Sequence, residues 1–338
     1  MYDFDSDRLT VVDRVKSALS ADDFAEEVRS GLSANPKTLP CRYFYDETGS
    51  KLFEEICELP EYYLTRAETN ILKRYADDIV SGLPSDLTLV ELGSGSATKT
   101  RLLIDALIKR RDVLRFTPID ISRSALEESS ENLLETYDDL EIVAVAAEYA
   151  DGIAALKEHN EGPELILWLG SSIGNLSRDE ASSFLVDLSK QMSSEDRLLV
   201  GIDLRKPASV LEPAYADSAG VTAQFNRNVL SRVNAELGGH FDLGAFEHLT
   251  RYDEEEGRVE MHLVSEEEQA VEIDALDLEV AFEPGETIHT ENSYKYSQTE
   301  IETLTASAGL VIDGQWFDSE ERFSLNLLSL SERRAPSF

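Results

Sequence analysis

The residues most suited to chemistry begin in the segment LTLVELGSGSATKT, residues 87–100, where an apolar strand enters a glycine turn and then a helix. Gly93 and Gly95 let the backbone pass close to a ligand, and amides at the start of the following helix suit a ligand's negative groups. The next apolar strand ends in FTPID, which puts Asp120 at its carboxyl end. A carboxylate there can accept from both hydroxyls of a ribose. After a third strand comes AAEYAD, in which Glu148 and Tyr149 suit an adenine, one by hydrogen bonding and one by packing. Together these residues describe a site for a nucleoside-bearing ligand; the plainer alternative for Asp120 and Glu148 is a solvated strand end. A dinucleotide fingerprint would carry a third glycine where Thr98 stands. With no proton-transfer histidine beside the turn, hydride chemistry is disfavoured. An acidic residue ahead of the glycines, here Glu91, is the arrangement of methyltransferase loops, whose S-adenosylmethionine carries the same ribose.

A succession of helices and short apolar strands must hold these residues. The patterning predicts helices over 68–82, 98–111, 122–136, 151–158 and 178–192, and strands over 87–92, 116–120, 141–146, 165–169 and 198–203. The alternation implies an α/β fold with a doubly wound, mostly parallel sheet. The rhythm breaks over 206–295, which reads as an insertion with its own helices and strands, and resumes with a helix over 298–308. Strands over 310–317 and 323–330, joined by a short loop, predict an antiparallel hairpin at the sheet's edge. Upstream, Leu9, Val12, Val15, Leu19, Phe24 and Val28 read as one helix over 7–32. The segment RYFYDETGSKLFEEICELPEYYLTRAE then gathers Tyr43, Phe44, Tyr45, Phe53, Tyr62 and Tyr63. Those aromatics suit either a helical subdomain burying its own rings or a pocket wall. The expected organisation is a core of 68–205 and 296–338 and a second α+β, substrate-binding domain of 1–67 and 206–295.

Composition narrows the classes. Hydrophobic residues make up 42% of 338, enough for a substantial core. Against 67 Asp and Glu stand 31 Lys and Arg, a formal net charge of −36. Such a surface repels phosphate backbones, so nucleic acid is not an expected partner. The acids are spread along the chain and form no tail, which fits a halophilic, salt-adapted surface. No apolar run approaches the ~20 residues that span a bilayer, and MYDFDSDRLT does not read as a secretory signal. The expectation is a cytoplasmic monomer without membrane partners. Cys41 and Cys57 are too few for a disulfide framework, and His240 and His248 too few for a metal site, so no metal is expected.

The segments KTLPCRYFYDETGSKLFEEICELPEYYLTRAE, VELGSGSATKTRLLIDAL, LGSSIGNL, AYADSAGVTAQFNRNVLSRVNAELG, FDLGAFEH, VEMHLV, LDLEVAFEPGETIHTENSYKYS and FSLNLLSL occur in this order, covering roughly residues 28–330. In them the chain resembles the histidine-specific α-N-methyltransferases of the ergothioneine pathway, which convert histidine to its trimethyl betaine, hercynine. The resemblance implies a class I methyltransferase fold, S-adenosylmethionine as methyl donor, and L-histidine as substrate. It implies cofactor contacts from the glycine turn at Gly93 and Gly95, from Lys99 and Asp120, and from the pair Glu148–Tyr149. The family's usual pair is Asp-Phe, so this chain departs by a methylene and a hydroxyl. The substrate contacts implied are Tyr62, Asn175, Tyr215, Glu291 and Ser293, with Asn292 between the last two, and Tyr45, Phe53 and Met261 lining the pocket. Asn175 would accept from the substrate amine, with Tyr62 beside it as the second residue at the reacting centre. Tyr215 would donate to the carboxylate, while Glu291 and Ser293 would grip the two imidazole nitrogens. No strong base is evident near Asn175, so proximity and alignment are expected to carry the reaction. Two other readings stay open: a betaine-forming enzyme for another aromatic amino acid such as tryptophan, and a non-catalytic S-adenosylmethionine-binding regulator. Glu291 and Met261 disfavour tryptophan, because indole offers one donor and needs more room.

Overall fold

The computed structural model describes residues 4–6, 8–14, 21–159 and 162–331. Its strands in chain order are β1 (Phe4–Ser6), β2 (Leu9–Asp13), β3 (Lys37–Thr38), β4 (Thr88–Leu92), β5 (Leu114–Asp120), β6 (Leu140–Ala146), β7 (Glu164–Trp168) and β8 (Arg197–Asp203). They continue with β9 (Phe246–Asp253), β10 (Arg258–Ser265), β11 (Gln269–Ile273), β12 (Leu278–Phe282), β13 (Thr287–Tyr294), β14 (Leu310–Phe317) and β15 (Phe323–Leu330). Contacts divide the chain into two compact units. One holds the described residues of Met1–Val15, Arg66–Leu204 and Tyr296–Phe338, and the other those of Lys16–Thr65 and Arg205–Lys295.

The first unit is built on a nine-stranded sheet in the order β1-β2-β6-β5-β4-β7-β8-β15-β14. Strands β2, β6, β5, β4, β7 and β8 run parallel. Strand β4 is buried at every position, as a strand covered on both faces must be. Strands β14 and β15 pair antiparallel, and β15 joins β8 antiparallel, which makes the expected hairpin edge. From β4 the sheet grows one way through β5 and β6 and the other way through β7 and β8. That reversal opens a crevice at the carboxyl ends of β4 and β7, where doubly wound folds bind ligands.

The amino terminus differs from the helix expected over 7–32. Leu9, Val11 and Val12 are buried in β2, which pairs with β6 and β1, and the helix starts only at Ala21. Leu9 and Val12 stand at helical spacing, but pairing with β6 on one side and β1 on the other holds them in a strand. Val15 and Leu19 lie outside the described residues. The same pairing places β1 and β2 with the core, where the sequence reading had put all of 1–67 in the second domain.

In the second unit the sheet order is β3-β13-β10-β9, with β11 and β12 as a separate hairpin. Helix Val221–Leu237 buries Phe225, Val229, Val233 and Leu237, a stripe at four-residue spacing. It packs on helix Glu47–Glu58. Asp46 caps that helix by accepting from Gly49 N at 2.7 Å, and Asn228 Nδ2 donates to Asp46 Oδ1 at 2.8 Å. A β-carbon at Gly49 would run into the Phe44 carbonyl, so only glycine allows the chain to fold back here.

Candidate active site

Each unit has its own set of polar groups. In the first, β4 ends at Leu92 and the chain turns through Gly93 (φ 69°) and Gly95 (φ 49°). Gly93 N donates to Ile119 O at 2.8 Å, and Gly95 N to Asp120 Oδ2 at 3.0 Å. The other carboxylate oxygen, Asp120 Oδ1, accepts from Ser122 N at 3.0 Å. Burial raises the Asp120 carboxyl above its usual range, against the pull of the Ser122 and Gly95 amides. Each oxygen keeps further acceptor capacity, as a ribose diol requires. Tyr149 starts helix Tyr149–His159, and a β-carbon at Gly93 would lie 2.7 Å from its hydroxyl. Its ring meets Trp168 and Phe184 edge-on, at 6.1 and 6.0 Å. Glu148, just ahead of it, is exposed.

Two buried carboxyls brace this end of the sheet, and the sequence reading assigned neither a structural part. Glu91 accepts from Thr100 Oγ1 with both oxygens at 2.7 Å, tying β4 to the next helix, and burial pushes its pKa up to about 8. Glu68, fully buried, pairs with Lys99 and accepts from Gly170 N at 3.0 Å. Lys99 is thereby tethered between the turns that follow β4 and β7. A lone Glu in a helical pattern gave no signal of this. Beyond β7, Gly170 (φ 74°) and Ser171 (φ 59°) turn the chain into the short 3-10 segment Ser172–Asn175. Asn175 is half-buried there, and its amide makes no side-chain hydrogen bond among the described residues.

In the second unit Tyr45, Phe53, Tyr62 and Tyr215 form a chain of edge-on rings, with centroids 5.6, 6.2 and 6.1 Å apart. Tyr43 and Phe44 fill the core of this unit, as the reading of a subdomain burying its own rings expects. Burial drives the Tyr62 pKa well above 10. Glu291, on β13, lies directly across from Met261 on β10. Burial lifts its pKa to about 7 while Lys295 pulls it down. Ser293, two residues along and on the same face, has its Oγ 2.9 Å from Tyr215 Oη. Lys295, two residues further, is fully buried and donates to Tyr215 Oη at 2.7 Å and to Ser293 Oγ at 2.8 Å. The spacing Glu-x-Ser-x-Lys was the signal that could have found this lysine.

Asn292 does not join them. Strand alternation sends it to the opposite face, where its Oδ1 lies 3.0 Å from His289 Nε2. The closeness of Tyr215 and Ser293 also differs from an arrangement in which one holds the carboxylate and the other, separately, the imidazole. They form a single hydroxyl cluster on Lys295. His248, weighed in the sequence as a metal partner of His240, lies 2.8 Å from both Asn226 Nδ2 and the Tyr215 carbonyl, and His240 lies 3.2 Å from Asp274.

A doubly wound sheet with a glycine turn after β4 and an acidic residue closing β5 is the architecture of a class I S-adenosylmethionine-dependent methyltransferase. The profile of the family described as histidine-specific, SAM-dependent methyltransferases matches residues 24–330. Over 301 residues the chain is 43% identical to the histidine N-alpha-methyltransferase of Mycobacterium tuberculosis, covering 89% of this chain and 93% of that protein. It is 34% identical over 275 residues to ergothioneine biosynthesis protein 1 of Schizosaccharomyces pombe, covering 79% of this chain and 35% of that one. It is 32% identical over 324 residues to the L-tryptophan methyltransferase of Psilocybe serbica, covering 89% of this chain and 90% of that one. The chain belongs to the histidine-specific, S-adenosylmethionine-dependent methyltransferases.

Proposed function

We propose that this protein transfers three methyl groups from S-adenosylmethionine to the α-amino group of L-histidine, giving hercynine, the first step toward ergothioneine. The observation that carries this reading is the similarity to a histidine N-alpha-methyltransferase over nine-tenths of both chains. The donor and acceptor groups on β13 and at Tyr215 support it. When bound, S-adenosylmethionine supplies an electrophilic methyl on a sulfonium. Asp120 would hold its ribose, Glu148 and Tyr149 its adenine, and Lys99 and the Gly93–Gly95 turn would complete the cofactor site.

The chain's part in the reaction is to bind and orient. A histidine amine, with an ordinary pKa of about 8, must be neutral to attack, and a dry pocket favours that form. Asn175 offers a carbonyl to the amine's N–H, with Tyr62 as the second contact. Alignment of this kind is worth several kcal/mol without a side-chain base. The faces of Tyr45, Phe53 and Tyr62 favour the cation that grows on the amine, by about 0.5–2 kcal/mol each. Glu291 accepts an imidazole N–H, and Met261 closes the space an indole would need. The acidic charge supports an enzyme without a nucleic-acid partner that acts at high ionic strength.

The test is to incubate the purified protein with histidine and S-adenosylmethionine at several potassium chloride concentrations and weigh the product. The expected product is heavier than histidine by three methyl groups. Cofactor binding without any methylated histidine would overturn the reading in favour of a regulator. Faster trimethylation of tryptophan would move the specificity.

A further inference from the structure

Glu291 owes its direction to an irregularity in its own strand. Between β10 and β13 the register runs from Arg258 opposite Tyr294 to Met261 opposite Glu291, and then His262 faces His289. Thr290 is thus the extra residue of a β-bulge, a device that re-aims the side chains beside it. Its effect shows in His289 and Asn292, which stand three apart yet share a face, His289 Nε2 lying 3.0 Å from Asn292 Oδ1. Glu291 lies on the other face, whereas an unbroken strand would put it on one face with His289.

A break in the ladder needs other partners to hold it. Asn226, on helix Val221–Leu237, is fully buried and meets both strands there. Its Oδ1 accepts from Thr290 Oγ1 at 2.7 Å, and its Nδ2 donates to His262 O at 3.1 Å. Thr290 Oγ1 also lies 3.0 Å from Met261 O. Nδ2 has a second hydrogen, and 2.8 Å from it stands His248 Nδ1. The amide can face only this way, because an oxygen in place of Nδ2 would meet the His262 carbonyl lone pair to lone pair. His248 Nδ1 must therefore accept, which puts the ring proton on Nε2, 2.8 Å from Tyr215 O. Thr250 Oγ1 donates to the same carbonyl at 2.8 Å. Burial lowers the His248 pKa and Arg227 adds to this, while the Tyr215 carbonyl, Asp217 and Glu247 oppose it. The ring is accordingly neutral at pH 7, as the Asn226 N–H requires. One amide thus joins the bulge before Glu291 to the end of helix Ala208–Tyr215.

We propose that Asn226 is a positioning residue for substrate binding: through Thr290 it fixes the bulge that aims Glu291, and through His248 it fixes the main chain that carries Tyr215. The inference rests on the assignment of Glu291 and Tyr215 to the substrate pocket.

The test uses the full-length protein. Thr290→Val keeps shape and strand preference but removes the hydroxyl, and Thr290→Ser keeps the hydroxyl. Asn226→Asp replaces the donating nitrogen by oxygen, and Glu291→Gln probes the pocket directly. Thermal melting and S-adenosylmethionine affinity report the fold of each variant, and Thr290→Ala serves if Thr290→Val does not fold. Misplacing Glu291 or Tyr215 by losing these bonds should raise KM for histidine about tenfold, with kcat falling less than about threefold. Thr290→Ser should bring KM back to within about twofold of the wild type. That rescue marks the hydroxyl as the cause, so a serine variant as impaired as the valine one overturns the proposal. An equal collapse of kcat overturns it as well, since it would mean general loosening of the unit. Heteronuclear NMR of the wild-type imidazoles should find His248 protonated at Nε2, and a proton on Nδ1 would break the chain of bonds argued above. If Glu291→Gln raises KM while Thr290→Val and Asn226→Asp do not, the pocket reading stands and the proposal is wrong. If Glu291→Gln leaves KM unchanged, the pocket reading itself fails and the proposal falls with it.

Discussion

Glu91 and Glu291 are both buried carboxyls whose pKa burial raises, to about 8 and about 7. Their surroundings differ. Glu91 has a hydroxyl donating to both oxygens and serves as a brace between strand and helix. Glu291 has Lys295 as its opposing charge and stands in the proposed substrate pocket. A carboxyl whose folded pKa lies above its unfolded one stabilises the fold fully below the unfolded value, near 4.5, and loses that contribution as pH rises through the folded value. For Glu291 the window therefore runs from about 4.5 to about 7, and the difference corresponds to roughly 3 kcal/mol as an upper bound. Glutamine in its place has no charge to bury. The melting temperature of Glu291→Gln relative to the wild-type chain should therefore climb between pH 4.5 and pH 8, by several degrees. Melting curves across that range check it, and a constant difference would mean that burial does not raise the Glu291 pKa above its unfolded value.

At the scale of the element, the turn between β4 and the next helix concentrates constraints that no single side chain reveals. Gly93 is needed twice, for its positive φ and because a β-carbon would crowd the Tyr149 hydroxyl at 2.7 Å. Gly93→Ala should thus cost about 1–3 kcal/mol of backbone strain and push Tyr149 off the turn. We expect S-adenosylmethionine affinity, measured by calorimetry, to fall about tenfold or more while the second unit's circular dichroism and fold persist. Unchanged affinity would remove this turn from the cofactor site. The glycines were readable in advance because their spacing follows an apolar strand. Tyr149 as the reason for one of them was not, since it follows a different strand 56 residues later by number, 149 against 93.

For the whole molecule the governing quantity is charge. A formal net charge of −36 on 338 residues implies self-repulsion in the compact state. Ion pairs such as Lys51–Glu47 and Lys109–Asp77 are exposed at both partners and offset little of it. Screening lengths fall from about 10 Å at 0.1 M salt to about 3 Å at 1 M. The melting temperature should accordingly rise between low and molar potassium chloride. A flat or falling curve would show that the acidic surface is not a salt adaptation.

Sequence alone was enough for the doubly wound core, the hairpin edge and the glycine turn after β4, because each rests on local signals: apolar runs and turn glycines. It was also enough for the family, since so many ordered segments carry the likeness. Residues 7–32 were misread as one helix because Leu9 and Val12 stand at helical spacing, and only the long-range pairing of β2 with β6 selects the strand. Glu68 joined to Lys99, Asn292 turned away from Glu291, and Lys295 under Tyr215 and Ser293 were all decided by tertiary structure. The physical reason is common to them. A buried polar group is defined by the partner that satisfies it, and those partners come from the turn after β4, from the pleat of β13, and from a helix end 80 residues away from the lysine.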